Sequence, residues 1–376
     1  MYLNQLEIQR FRNLQPGSLT FSPTVNFLFG DNAQGKTNLV EAIYLLCLAK
    51  SFRTREDAEL VPFGGKDFFI EGQFHFDGSL NRRVAVMYSE SGGKQISIDD
   101  KRLHRFSGLI GEFPVICLWA GDHEITGGAP QQRRRFFNIL LSQSSRRFLD
   151  DLKQYEKILR QRNSVLTGPA AAHADAQLNV WNEQLTVFGA RLMRARRELV
   201  DELNKHLSDH YRTITRNRWS LRIDYHPNVA FQEPIETAFE RQLRQWAARE
   251  KRQGITLVGP HRDEFKFLIG DNELRLYGSR GEHKSALVSL KAAEAAVLKK
   301  RTEITPIILL DDLFAELDRD RSANVLSLFE EDSQVFITGT TMDLTGVVQS
   351  GLAPTGAAAF MVDGGGLKRG DFAADA

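Results

Sequence analysis

The run Gly30-Asp31-Asn32-Ala33-Gln34-Gly35-Lys36-Thr37 constrains this chain more than any other feature. It matches the pattern G-x-x-x-x-G-K-[ST] and has the context that pattern needs: the apolar segment Val25-Asn26-Phe27-Leu28-Phe29 before it and a helical pattern, Leu39 to Ala49, after it. A strand, a glycine turn and a helix in that order commit the chain to an α/β fold. The glycines let the backbone curl so that successive N–H groups face one anion, and the helix start adds about half a positive charge. In such a loop Lys36 reaches the β- and γ-phosphates of ATP and the Thr37 hydroxyl ligates Mg²⁺. The expected nucleotide-binding set is the whole loop, Gly30 to Thr37, with Asn38 after it.

A second half-site is expected at Ile307-Ile308-Leu309-Leu310-Asp311-Asp312. The apolar run reads as a strand buried on both faces, and its two acids emerge where ligands of α/β sheets bind. Asp311 is expected to hold the magnesium shell and Asp312 to orient or deprotonate an attacking water. Roughly 270 residues separate this segment from the loop, whereas compact phosphotransferases keep the two close. Upstream of the acidic strand, Ser279-Arg280-Gly281-Glu282 opens a helix running from His283. A Ser hydroxyl and a Gly N–H at a helix start make another anion site. Since one copy's loop already cradles its own γ-phosphate, this set is read as serving the nucleotide of a second copy, with two ATP in a symmetric, ATP-dependent dimer. The simpler reading is an ordinary helix cap.

The length of 376 residues suits two lobes or domains. Short strand signals fill the first 125 residues or so, including a meander over Phe68–Phe76, Arg83–Tyr88 and Gln95–Ile98. The period then lengthens. Phe148, Leu152, Tyr155, Leu159 and Leu166 share one helical face, and Trp181, Leu185, Phe188, Leu192, Ala195, Leu199 and Leu203 another. Around Gly168-Pro169 these form an antiparallel hairpin whose second helix spans about 30 residues, or roughly 45 Å. It is read as a projecting arm, with two helices lying flat on the sheet as the alternative. Strands are expected again at Trp219–Tyr225, Phe265–Ile269, Glu273–Tyr277, Gln334–Thr338 and Ala359–Val362. The division expected is 1–128 (N-terminal lobe), 129–212 (arm) and 213–376 (C-terminal lobe).

With 49 Lys and Arg against 48 Asp and Glu, the net charge of +1 gives no bulk attraction to a polyanion, so any such partner must meet a local patch. Cys47 and Cys117 lie in apolar runs without metal-ligand spacing, as expected in a reducing compartment. No apolar stretch approaches the roughly 20 residues needed to span a bilayer, and the opening Met1-Tyr2-Leu3-Asn4-Gln5 lacks a secretory pattern. A cytoplasmic protein with no membrane contact is expected.

The order of motifs resembles the ABC-type ATPase heads of SMC-like DNA-repair proteins, and within them the RecF family. It runs Leu6-x-Ile8-x-x-Phe11-Arg12-Asn13-Leu14, the phosphate loop, a helical insertion, Ser-x-Gly-Glu, then Leu-Leu-Asp-Asp. Ser51-Phe52-Arg53-Thr54, Gly128-x-Pro130-x-x-Arg133-Arg134, Gly259-Pro260-His261-Arg262-Asp263 and Phe314-x-Glu316-Leu317-Asp318 are further points of likeness. The resemblance implies an α/β head with a mixed sheet, an antiparallel meander and an inserted coiled-coil-like arm. It also implies a weak DNA-dependent ATPase that dimerises on ATP, binds double-stranded and gapped DNA, and helps RecO and RecR place RecA. Carried over by motif, Arg12 and Asn13 contact the nucleotide, while Ser279, Gly281, Glu282 and Asp318 act across the dimer. The family's γ-phosphate-sensing histidine is replaced by Thr338-Gly339-Thr340-Thr341-Met342-Asp343, so a hydroxyl is given that role. The sequence does not place the family's magnesium-bridging glutamine; the segment after Trp119 offers only Asp122 and Glu124 before Gln131.

For DNA contact the candidates are Arg133, Arg134, Arg135, Arg146 and Arg147, reinforced by Lys153, Lys157, Arg160 and Arg162 and by Arg191, Arg194, Arg196 and Arg197 on the facing helix. A solvated or partner-facing surface would look the same. Two other functions compete with a DNA clamp: an ATPase head acting as a protein scaffold, and a phosphotransferase acting on a small metabolite.

Overall fold

A computed structural model describes residues 1–78, 80–168, 175–215, 219–231, 234–312, 325, 327–329, 332–340 and 356–370. In chain order the elements begin with β1 (Tyr2–Gln9), β2 (Gly17–Thr20), β3 (Val25–Phe29), α1 (Lys36–Leu48), β4 (Asp67–Phe76), β5 (Leu80–Ser89), β6 (Gly93–Ile98), β7 (Lys101–Arg102) and β8 (Val115–Leu118). Next come α2 (His123–Gly127), α3 (Pro130–Ser144), α4 (Arg146–Thr167), α5 (Asp175–Thr215), β9 (Leu221–His226), α6 (Ile235–Gln253), β10 (Glu264–Ile269), β11 (Asn272–Glu273) and α7 (Leu274–Tyr277). The last are α8 (Arg280–Thr302), β12 (Ile307–Leu310), β13 (Val335–Gly339), β14 (Ala358–Asp363) and β15 (Gly366–Gly370).

Two compact units result. The first is Met1–Asp122, Asp209–Arg218 and Leu287–Ala376, and the second is His123–Ser208 and Trp219–Ala286. This differs from the three-part division expected from the sequence. The segment from Trp219 to Ala286 belongs with the helices because its sheet packs on α3: Phe137 stacks on Phe265 at 3.8 Å, and Phe265 on Tyr225 at 4.9 Å.

In the first unit an antiparallel sheet of order β2-β1-β4-β5-β6-β7 and a mainly parallel one of order β15-β14-β3-β13-β12-β8 enclose α1. From Leu39 onward helix α1 is apolar on every side but for Glu41, as burial between two layers favours, and Leu39, Val40, Ile43, Leu45 and Leu46 are fully buried. The strand β12 is buried throughout and pairs in parallel with β8 and β13, so its unbroken apolar run sits at a sheet centre. The two sheets are tied by one amide: Gln334 accepts from the Leu3 N–H at 2.7 Å and donates to the Leu3 carbonyl at 2.9 Å, beside a register shift in β1.

The second unit is built on α4 and α5, which run antiparallel, with Asp151 facing Arg191 and Arg162 facing Asn182. Helix α5 is 41 residues long, beyond the length expected. Helix α6, which the sequence pattern did not disclose, also packs on α4. Arg162 fills a seam position where the spacing calls for an apolar side chain. It is 2% exposed, and its guanidinium donates to Glu250 at 2.5 Å, Thr256 at 2.8 Å and Asn182 at 2.8 Å. The strand expected over Glu273–Tyr277 is a two-residue strand followed by the helical turn α7, closed by the Gly278 N–H donating to Leu274. Among the described residues no helix is long and apolar enough to cross a membrane.

Candidate functional site

The order β3-β13-β12 sets the C-terminal ends of these parallel strands side by side. From β3 emerges the phosphate loop, whose backbone needs its glycines. Gly30 (φ 150) lies so close to β14 that a Cβ there would be 2.2 Å from the Val362 carbonyl oxygen. Gly35 (φ 119) would bring a Cβ to 2.9 Å from the Asn13 Oδ1. The turn between β14 and β15 holds the loop from one side: the Gly365 N–H donates to the Gln34 carbonyl at 3.0 Å and the Gly364 N–H to Gln34 Oε1 at 2.6 Å. Lys36 is 8% exposed, and its ammonium donates to the Gly30 and Asp31 carbonyls at 2.6 and 2.8 Å. The first turn of α1 carries no acidic side chain, so nothing competes with an anion for its N–H groups.

From β12 emerges the acidic pair. Thr37 Oγ1 donates to the Asp311 carboxylate, 3.0 Å from each oxygen, and Thr338 Oγ1 donates to Asp311 Oδ1 at 2.9 Å. Burial pushes the Asp311 carboxyl up, against the two hydroxyls that draw it down. A hydroxyl and a carboxylate in contact are hard oxygen donors that fit Mg²⁺. Asp312 is exposed and left-handed at φ 56, with its N–H donating to Thr338 Oγ1 at 2.7 Å. Thr338, the first hydroxyl of that stretch, is fully buried and committed on both sides, so it is not the one open to a γ-phosphate. Thr341 to Asp343 lie outside the described residues.

Beside the loop, one carboxylate gathers several donors. Glu41, fully buried in α1, takes Arg12 through both oxygens at 2.9 Å, Arg53 at 3.4 Å and the Ser51 hydroxyl. Arg53 also donates to Asn38 at 2.7 Å, and Asn38 to Asn13 at 2.7 Å. Arg12 is anchored on the loop's helix by an acid outside the motif. Two guanidiniums share one carboxylate, leaving about one positive charge beside the anion cradle. The signal was available: a lone Glu in the apolar run Leu39-Val40-Glu41-Ala42-Ile43 must be partnered when buried.

In the second unit, Ser279 and Glu282 form a reciprocal cap on α8. The Ser279 N–H and hydroxyl both donate to Glu282 at 2.8 Å, and the Glu282 N–H donates back at 3.3 Å. Ser279 and Gly281 are exposed, and the preceding Leu276 and Tyr277 are 60% and 73% exposed. Asp318 lies outside the described residues.

The basic surface is smaller than the sequence suggested. Arg133 is 3% exposed and grips Glu264 at 2.7 and 3.0 Å, which removes it from any DNA-facing set. Arg134 donates to the Asp263 carbonyl at 2.8 Å, and Arg162 and Arg196 are buried. The reason is α3, whose Arg133 face packs on β10 rather than facing water. Arg135, Arg146 and Arg147 are exposed, the last two beside Asp150 and Asp151 at 3.6 and 4.0 Å. The Gly259–Asp263 cluster is an internal lock. Asp263 accepts from Arg196 at 2.7 Å, the Tyr225 hydroxyl at 2.5 Å and the Asn228 N–H at 2.8 Å. Asp122, one of the acids available after Trp119, is half-buried 3.4 Å from Lys291, which also meets Glu294 at 3.1 Å.

A nucleotide-type loop, an acidic strand end and a capped Ser-x-Gly-Glu helix on an α/β head with an inserted helical arm define an SMC-like head of the ABC ATPase class. Residues 2–352 match the family described as the RecF/RecN/SMC N terminal domain. The chain belongs to the RecF family. It is 36% identical over 346 residues, 91% of this chain and 93% of the other, to the DNA replication and repair protein RecF of Streptococcus thermophilus. To the protein of that name from Halalkalibacterium halodurans it is 35% identical over 350 residues, 91% of this chain and 94% of the other. A solved structure of the recombination mediator protein RecF-ATP in the RecFOR pathway superposes with a TM-score of 0.87 over 98% of both chains at 29% identity.

Proposed function

We propose that this chain is an ATP-dependent DNA-binding protein of recombinational gap repair and replication restart, working in the cytoplasm. The observation that carries the reading is the contact between Thr37 and Asp311, which joins the phosphate loop to the acidic strand end. The solved relative bound to ATP supports it.

Residues Gly30 to Asn38 wrap the triphosphate. Lys36 leaves its backbone carbonyls for the β- and γ-phosphates, and Arg12 and Asn13 flank the nucleotide. Thr37 and Asp311 would hold Mg²⁺, which would supply positive charge to offset that of the triphosphate. Asp312 orients the attacking water, and slow hydrolysis resets the cycle. Two copies sandwich ATP, with Ser279, Gly281, Glu282 and Asp318 of each meeting the nucleotide of the other. The dimer holds duplex DNA near single-strand gaps and helps RecO and RecR load RecA. DNA contact is backbone-directed, with Arg135, Arg146 and Arg147 as its candidates on the arm.

The internal commitment of Arg133, Arg134, Arg162 and Arg196 favours a second reading, a scaffold whose arm binds protein. Titrating a gapped duplex with ATP at several salt concentrations decides between them. A clamp neutralising several phosphates loses affinity steeply from low to moderate salt. A scaffold binds little DNA at any salt, and that result would overturn the primary reading.

A further inference from the structure

We infer that Thr338 is a positioning residue of the hydrolytic centre, its hydroxyl fixing the corner on which Asp311 and Asp312 stand. The inference rests on the reading of this site as an ATPase.

Past Leu310, where the paired residues of β12 end, the Asp312 N–H has no backbone partner among the described residues and must find another. The Asp311 N–H still continues the pairing with β8, donating to the Leu118 carbonyl at 2.8 Å. The Asp312 N–H turns the other way, to β13, and donates to Thr338 Oγ1 at 2.7 Å. A hydroxyl has one proton to give, and here it goes to Asp311 Oδ1 at 2.9 Å. One side chain therefore restrains the backbone of the second acid and the carboxylate of the first. Asp312 gains from the restraint, because its φ of 56 lies in the left-handed region, which costs a residue with a Cβ some energy even though Asp tolerates it better than most. Thr338 is well placed to supply that restraint. It is fully buried, and its strand lies between β12 and β3, with Thr338 in register with Leu28 just before the phosphate loop. The same hydroxyl thus sets the acidic corner against the strand that delivers the phosphates. Neither the Asp311 carboxylate nor the Asp312 backbone could swing without breaking or stretching this link.

The test compares Thr338→Val, which keeps the shape and removes the hydroxyl, with Thr338→Ser, which keeps the hydroxyl. ATP affinity and DNA-stimulated turnover are measured on the full chain. Valine is expected to leave the ATP Kd within about twofold and to lower kcat about 10- to 100-fold, the scale of a small misplacement of a reacting group. Serine is expected to restore kcat to within about threefold of wild type. Should the valine variant not fold, Thr338→Ala takes its place in the comparison. Wild-type kcat in the hydroxyl-less variant overturns the inference, as does a loss that serine fails to rescue or a Kd that weakens in step with kcat. A wild-type chain that does not hydrolyse ATP would instead remove the ATPase reading on which the inference stands.

Discussion

Thr37 and Asp311 are 274 positions apart in the chain, yet the hydroxyl of one lies 3.0 Å from both carboxylate oxygens of the other. The contact is made by strand order: β3 and β12 flank β13, and each presents its C-terminal end on the same edge. The chain between the two residues includes β8 and β12 of this same sheet as well as the helices α3 to α6, and the strand order alone closes the gap.

Lys36→Arg is expected to keep ATP binding within about tenfold and to lose turnover by 100-fold or more, the scale of removing one transition-state donor. The ammonium is a compact donor set between two carbonyls 2.6 and 2.8 Å away, a space a planar fork does not match. Equilibrium nucleotide binding and steady-state hydrolysis measure the two effects separately. Unchanged turnover would show that Lys36 plays no part in the chemistry.

Asp312→Asn preserves the shape of the exposed corner and removes its charge, so it is expected to bind ATP and stall as a dimer. Sedimentation with and without ATP and a gapped duplex reads this directly. A variant that stays monomeric with ATP would count against hydrolysis as the release step.

Ser279→Arg is expected to abolish ATP-dependent dimerisation and leave nucleotide binding by the monomer intact. The substitution also breaks the cap with Glu282, at a cost of about 1 kcal/mol, too little to unfold the unit. Loss of ATP binding in the monomer would show that Ser279 serves its own copy's nucleotide.

His261 gives the second unit an acid limb. Its Nε2–H donates to the Thr256 carbonyl at 3.0 Å, so the neutral ring accepts from the Tyr155 hydroxyl through Nδ1 at 2.6 Å. Burial pushes the imidazole down from 6.5 to about 4. Between these values the unfolded chain binds a proton that the folded chain does not. The stability from this group is therefore full above pH 6.5 and falls as the pH drops toward 4, by up to about 3 kcal/mol. Denaturant titrations at pH 7.5 and 5 should show the loss in wild type and a smaller one in His261→Gln. Equal losses would place the acid sensitivity elsewhere.

How much of this was legible in the sequence depends on the range of the interaction. The loop, the buried β12 and the meander carry local signals, a glycine pattern, an unbroken apolar run and turn residues, and each lies where those signals put it. Helix α6 was missed because its apolar positions are sparse among charges, and its Glu250 is buried only because Arg162 arrives from α4. Arg133 was misread for a similar reason. A basic run looks solvated until the distant Glu264 is brought beside it. The role of Thr338 was also out of reach, since its partners come from another strand.

The cradle for the anion near the start of the chain is completed by Gly364, 330 positions further on. A growing polypeptide on the ribosome therefore carries an unfinished nucleotide pocket until β14 and β15 have been made. A truncated fragment that keeps every motif residue from Gly30 to Asp312 would still lack one wall of it.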